Sequence, residues 1–241
     1  MKAISITAMI FTVATVVAGD FDFIHTSPGE LIRHKHFAAK YSEEHEQSLW
    51  VTYELTAEEV QSRRDRTNNY RADPAVSSGS ATNRDYKGSG WDRGHLAPAA
   101  DMRFSRDAMS ESFLHCNISP QDPRFNGGSW QSLEALVRNW AVEYGSIYVV
   151  TGPILKPSLG ELGANKVTIP SQFYKVVLRR DGDSWRMIAL VLKNRSRNKP
   201  FRECVVSVDW LEAHTGIDFF PKLPDEVEEE IESKADRTGW N

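Results

Sequence analysis

The chain has 241 residues, of which 40% are hydrophobic and 26% charged, a balance ordinary for a soluble globular protein and sufficient for one substantial core. Its two cysteines, Cys116 and Cys204, are too few for a disulfide framework and have no metal-ligand spacing, so a single bridge and two buried thiols both stay open. A net charge of −4 argues superficially against a polyanionic partner, but Asp225 to the C-terminus alone carries seven acids against two basic residues, which leaves the rest near neutrality.

The first element lies at the N-terminus. Lys2 precedes an apolar run from Ala3 to Val17, and Val16-Val17-Ala18 offers small residues for cleavage, so residues 1–18 are expected to be a secretory signal peptide and 19–241 a single domain. About 16 apolar residues fall short of the ~20 of a spanning helix. No membrane contact is therefore expected after cleavage, and the mature chain is expected to be secreted or periplasmic.

His25, His34, His36 and His45 come next. His34 and His36 would share a strand face, yet no carboxylate or cysteine has convincing ligand spacing to them, so they are expected to be solvated. Tyr41 to Gln47 (YSEEHEQ) reads as an acidic turn between strands, and Leu49 to Leu55 (LWVTYEL) as an apolar strand. Asp65 to Gly90 is rich in Asn, Asp, Ser and Gly, and long loops of this kind usually carry function.

Ser105 to Leu114 is expected to be a short helix. The clearest helix is Trp130 to Tyr144, where Trp130, Leu133, Val137, Trp140, Ala141 and Tyr144 recur at helical spacing. Gly127-Gly128 and Ser129 mark its start and leave Asn126 just outside. Ser146 to Thr151 is a strand that should end at Gly152-Pro153, and Phe173–Leu178 with Trp185–Leu192 flank the hairpin signal Asp181-Gly182-Asp183. Val208 to His214 should be a helix closed by Gly216, and the acidic C-terminal run is expected to be a solvated helix face. There is no internal repeat, and the mixture of α and β does not form a βαβ array.

Residues 92–101 read DRGHLAPAAD. With a reference pKa near 6.5, His95 can take a proton from water when neutral, which makes it a candidate general base beside Arg93. Asn126 is by composition a turn residue, but a neutral amide oxygen is also a ligand that leaves the charge of a Mg²⁺ ion available to phosphate. Glu134 and Arg138, four apart on one helix flank, make an ordinary surface ion pair unless a metal and a phosphate are near. The basic runs from Arg63 to Arg106 (nine basic, five acidic) and Arg179 to Arg202 (eight basic, two acidic) supply an electrostatic footprint.

Taken together, DRGHLAPAAD, Cys116-Asn117-Ile118-Ser119-Pro120-Gln121, Asn126, Trp130, Leu133-Glu134 and Arg138 resemble the DNA/RNA non-specific endonucleases, the ββα-metal or His-Me finger nucleases. YVVTGP at 148–153, Ile169-Pro170-Ser171 with Lys175, and Val206 to Gly216 extend the likeness over about Trp50 to Leu223. The resemblance implies an α+β fold: a ββα-metal finger core with a mixed, largely antiparallel sheet and packed helices.

It also implies roles. His95 would activate the attacking water, Asn126 would be the sole direct protein ligand of Mg²⁺ (with Mn²⁺ as a substitute), and Glu134 would orient water around that ion. Arg93 and Arg138 would contact phosphate, Asn117 would orient the groups beside it, and an upstream arginine would complete the site. The pattern around Tyr70-Arg71 favours Arg66, with Arg63, Arg64 and Arg71 as competitors. The implied reaction is endonucleolytic hydrolysis of DNA and RNA leaving 5′-phosphates. A catalytically silent nucleic-acid-binding module is the alternative, and a phosphodiesterase for small metabolites, which would need a closed pocket, is a third.

Overall fold

The computed structural model describes residues 25–195 and 197–240, so the expected signal peptide falls outside it. Strands β1 (Glu30–Arg33), β2 (Ala38–Ser42) and β3 (Gln47–Thr56) lead through helices α1 (Ala57–Gln61) and α2 (Asn83–Tyr86) to the short β4 (Asp92–His95). Helix α3 (Arg106–Glu111), β5 (Ile118–Gln121), α4 (Pro123–Phe125) and α5 (Gln131–Tyr144) follow. The chain ends with β6 (Ser146–Leu162), β7 (Val167–Asp181), β8 (Ser184–Lys193), β9 (Val205–Val206), α6 (Val208–Thr215) and α7 (Asp225–Glu232). Among the described residues no helix is long and apolar enough to cross a membrane.

Seven strands form one sheet in the order β1-β2-β3-β6-β7-β8-β9, while β4 and β5 pair separately. All the strand pairs are antiparallel, so the α+β expectation holds but the sheet is not mixed. The one parallel pairing among the described residues is an isolated bridge, Arg71 with Leu114.

Both faces of the large sheet are covered, which is why its strands read as near-continuous apolar runs. On one face Val51, Tyr53, Leu55, Val149, Phe173, Val177 and Ile188 pack with Leu133, Val137 and Trp140 of α5. On the other, Trp50, Val150, Tyr174, Val176 and Leu178 pack with Val208 and Leu211 of α6 and with Phe219 and Phe220. Successive residues point to opposite faces, and each large apolar side chain buried this way contributes roughly 1.5–3 kcal/mol.

Several elements match the sequence reading. The Glu43–Glu46 turn joins β2 to β3, Gly182 (φ 62°) turns the β7–β8 hairpin, and Gly216 (φ 68°) closes α6. Others differ. Strand β6 runs past Gly152-Pro153 to Leu162, because β7 begins at Val167 and pairs with that extension through two register shifts. The helical stretch that includes α5 starts earlier than Gly127. Asp122 accepts hydrogen bonds from the amides of Arg124 and Phe125 and Pro123 takes the first helical position, so the chain is helical from Pro123. A π-type turn over Asn126–Trp130 carries it into α5, with a kink at Gly128 (φ −125°, ψ −109°). Asn126 therefore sits inside the helical stretch and not before it. Both cysteines are buried and free.

The N-terminal histidines do not form a pair. His34 Nε2 meets Asp73 Oδ2 at 2.8 Å and Cys116 Sγ at 3.7 Å, whereas His36 packs against Phe104. The companions that spacing did not reveal come from 39 and 82 residues away. Nor is His25 solvated: it is 2% exposed, packed against Trp50 and Phe220.

Candidate active site

Two short strands and one helix build the cleft. Strand β4 pairs with β5 so that Arg93 lies opposite Pro120 and His95 opposite Ile118. Alternation along β4 puts Arg93 and His95 on one side. Gly94 between them is required by packing: a Cβ there would fall within the side chain of Gln121, itself fully buried. After β5, the Asp122-capped helical stretch delivers Asn126, and α5 adds Glu134 and Arg138 about two and three turns further on.

These residues converge. Arg66, Tyr70, Arg93, His95, Asn126, Glu134 and Arg138 line a single cleft of about 200 Å³. Beyond Tyr70, Arg93 and Asn126 it continues into a neighbouring hollow of about 620 Å³ bordered by Trp91 and Lys87. The result is a groove and not a sealed pocket.

His95 is 7% exposed, wedged edge-on between Tyr70 (5.5 Å) and Phe113 (4.8 Å). Burial first, then Arg66, Arg93 and His115, pull its pKa down to about 3. The imidazole is thus neutral across the ordinary pH range, and its Nε2 has no hydrogen-bond partner among the described residues. A buried polar atom without a partner at a cleft is what a proton-accepting site requires before substrate arrives.

Arginines surround it. Arg66 donates to Asn68 (2.7 Å) and to the Tyr70 hydroxyl (3.2 Å), and Arg93 lies over the Tyr70 ring at 4.1 Å while donating to Asn83 (2.8 Å). Tyr70 therefore holds both guanidiniums and donates to the Arg93 carbonyl (3.3 Å). The competing arginines face elsewhere: Arg63 bonds the Val60 carbonyl, Arg64 that of Phe104, and Arg71 that of Ser110.

Glu134 and Arg138 are not an ion pair. Arg138 bonds Asp101 Oδ1 at 2.8 Å, and the other Asp101 oxygen accepts from the Tyr53 hydroxyl at 2.7 Å. One carboxylate that is 1% exposed thereby sets the guanidinium and leaves other donors for the cleft. Burial raises the pKa of Glu134, while Lys175, Arg138 and Arg66 pull it back and Asp101 adds to the rise. Lys175 is itself fully buried, its ammonium 2.7 Å from Thr151 Oγ1 and 4.9 Å from the Trp130 ring, and burial lowers its pKa.

Asn117 does not reach the cleft. Fully buried, it donates to the carbonyls of Ala97 (2.9 Å) and Ser112 (2.8 Å) and accepts from the Ala97 amide (2.8 Å). These contacts fix the chain just after His95. The side chains that sequence reasoning passed over are Tyr70, Asp92 and Asp101. Asp92 and Asp101 are the two ends of DRGHLAPAAD, so the signal was in view, but their partners Asn126 and Arg138 lie 34 and 37 residues on.

A divalent metal fits this donor set. Asn126 Nδ2 donates to Asp92 Oδ2 at 2.9 Å, which commits the amide nitrogen and turns the carbonyl oxygen free, in a cleft that also holds the Glu134 carboxylate. Oxygen donors of this kind suit a small hard cation.

The model of the DNA/RNA non-specific endonuclease family matches residues 22–226, a span that starts upstream of Trp50 and takes in β1 and β2. The mitochondrial nuclease EXOG of Mus musculus is 34% identical over 212 residues, covering 80% of this chain and 58% of that protein. The mitochondrial endonuclease G of Homo sapiens is 34% identical over 191 residues, covering 73% and 64%. This chain thus matches less than two thirds of the length of either relative. In three dimensions it is similar to the endonuclease G chain of an EndoG/EndoGI complex, with a TM-score of 0.77 and 28% identity over 83% of this chain and 89% of that one. With the family model spanning β4, β5, α5 and all seven strands of the large sheet, this chain belongs to the DNA/RNA non-specific endonuclease family.

Proposed function

We propose that the chain is an endonuclease that hydrolyses phosphodiester bonds of DNA and RNA without sequence preference. The observation that carries this reading is the neutral His95, its Nε2 without a partner among the described residues, in the same cleft as Arg66, Arg93, Arg138, Asn126 and Glu134. A silent binding module would need only the arginines. The groove that runs on past Arg93 suits a polymer better than a small metabolite.

In the proposed mechanism the arginines grip phosphate oxygens and place the phosphorus against the His95 side of the cleft. His95 accepts a proton from the attacking water, whose oxygen bonds to phosphorus in line with the departing 3′ oxygen; the P–O3′ bond breaks, the 3′ oxygen takes a proton from water, and a 5′-phosphate remains. Glu134 holds water in place across the cleft from His95. Asn126 is the proposed ligand of Mg²⁺, or of Mn²⁺ as a substitute, an ion that when bound supplies charge stabilisation for the phosphate and leaving oxygen. Contacts made to phosphate alone carry no base information, which accounts for the lack of sequence preference.

Incubation of the purified chain with supercoiled plasmid and with structured RNA, with and without chelator, tests the reading. Metal-dependent cleavage of both is expected, and cleavage of neither ends it. Export is part of the same proposal, resting on the apolar run at residues 3–17; recovery of a tagged full chain from the cell interior at full length would remove it.

A further inference from the structure

On the sheet face opposite the cleft, acidic side chains from α6 and α7 meet. One oxygen each from Asp209, Glu212 and Glu232 lies within 4.8 Å of the others. Glu232 is only 5% exposed, and its Oε1 is sealed from solvent with no hydrogen-bond donor among the described residues; Glu228 Oε1, on the same helix, is in the same condition. Glu212 receives one donor, the Phe219 amide at 2.7 Å. After burial, the strongest influences on Glu232 are the carboxylates of Glu212, Glu228, Asp209 and Asp218.

An unpaired carboxylate inside a protein is costly, and a cluster of them needs either protons or a cation. Burial and mutual repulsion do push Glu212 up to about 7 and Glu232 up to about 9. The geometry favours the cation. Calcium binds oxygen at about 2.3–2.6 Å, so oxygens up to 4.8 Å apart can touch a single ion. Three carboxylates suit calcium better than magnesium, which keeps several waters and takes one or two carboxylates, and an all-oxygen set among the described residues disfavours zinc. Asp209 is exposed and gives the ion a way in.

We propose that the α6–α7 seam is a calcium site in which Asp209, Glu212 and Glu232 bind one ion, with Glu228 beside them, and that the ion clamps the C-terminal helix onto the body of the protein. The site is independent of the nuclease reading. It also revises the expectation for the acidic run: one face of α7 is solvated, the other faces α6.

Calorimetric titration and thermal unfolding with calcium, and separately with magnesium, test the proposal on Asn126→Ala protein and on Glu232→Gln and Glu212→Gln variants of it. One calcium per chain is expected, with a melting temperature that climbs with calcium concentration and responds less to magnesium. Each Gln variant should weaken calcium binding at least about tenfold, since carboxylate count tunes affinity. Glu232→Gln should also raise the calcium-free melting temperature by removing a buried acid. A melting temperature unmoved at about 10 mM calcium, above the range of weak oxygen sites, overturns the proposal, as does a calcium response in both Gln variants as strong as in the parent Asn126→Ala protein. Glu232→Gln alone should cleave plasmid in magnesium at the parent rate, which separates this outcome from the fate of the nuclease reading.

Discussion

His95 owes its protonation state to its surroundings more than to its own chemistry, since burial between Tyr70 and Phe113 beside two arginines leaves only the neutral form. Replacing it with alanine should lower cleavage about 10²–10⁴-fold, the usual worth of a general base, while filter binding of DNA is retained. Full activity in that variant would remove His95 from the mechanism. For Asn126→Ala the expected defect is in metal use: half-maximal cleavage should need more magnesium, and an unchanged requirement counts against a ligand role. Asp101 ties Arg138 to Tyr53, so Asp101→Ala strands a half-buried guanidinium. Urea unfolding should register a loss of about 3 kcal/mol, the low end for breaking a buried pair because Arg138 keeps 20% exposure. A loss under about 1 kcal/mol would reduce the pair to an ordinary surface contact.

At the scale of elements, the finger depends on β4 and β5 lying close enough for His95 to be sealed behind the arginines. Gly94 permits that approach, because any side chain there collides with buried Gln121. Gly94→Ala should cost about 1–3 kcal/mol by overpacking and lower cleavage as well, since the strand carrying His95 must move. Wild-type stability and activity in this variant would mean that Gln121 swings aside freely. The other half of the finger begins at Asp122-Pro123, a cap and first-turn proline that start the helix four residues before Gly127 and so hold Asn126 on a rigid turn.

The whole molecule is a sheet between two layers, with the cleft on one side and the acidic seam on the other. Histidines are sealed into it in neutral form: His25 is lowered to about 3 and His115 to about 4, both chiefly by burial. Because their folded pKa values lie below the unfolded 6.5, the unfolded chain takes up protons first, and the stability present above pH 6.5 drains away as pH falls toward 4 and 3. Glu212 and Glu232, raised by burial, act in the opposite sense over this window, so the histidine contribution shows as a difference: His25→Gln, which keeps an acceptor for the Phe220 amide, should lose less melting temperature than the parent on acidification from pH 6.5. Parallel pH profiles for the parent and His25→Gln would contradict the burial of a neutral imidazole at His25.

Local features were legible in the amino-acid order. DRGHLAPAAD, the apolar stripe of α5 and the Asp-Gly-Asp hairpin depend on neighbours within a few residues, and the family resemblance that named His95, Asn126 and Glu134 was assembled from a series of such local motifs. What was not legible is set by register and layering. Arg138 reaches Asp101 across 37 residues, His34 meets Cys116 across 82, and Glu212 faces Glu232 because two helices share one sheet face. Spacing along a chain cannot report such meetings, because the strand order and the side to which each helix folds place those residues together, and burial there then moves the charge of His95 and Glu232 far from its value in water.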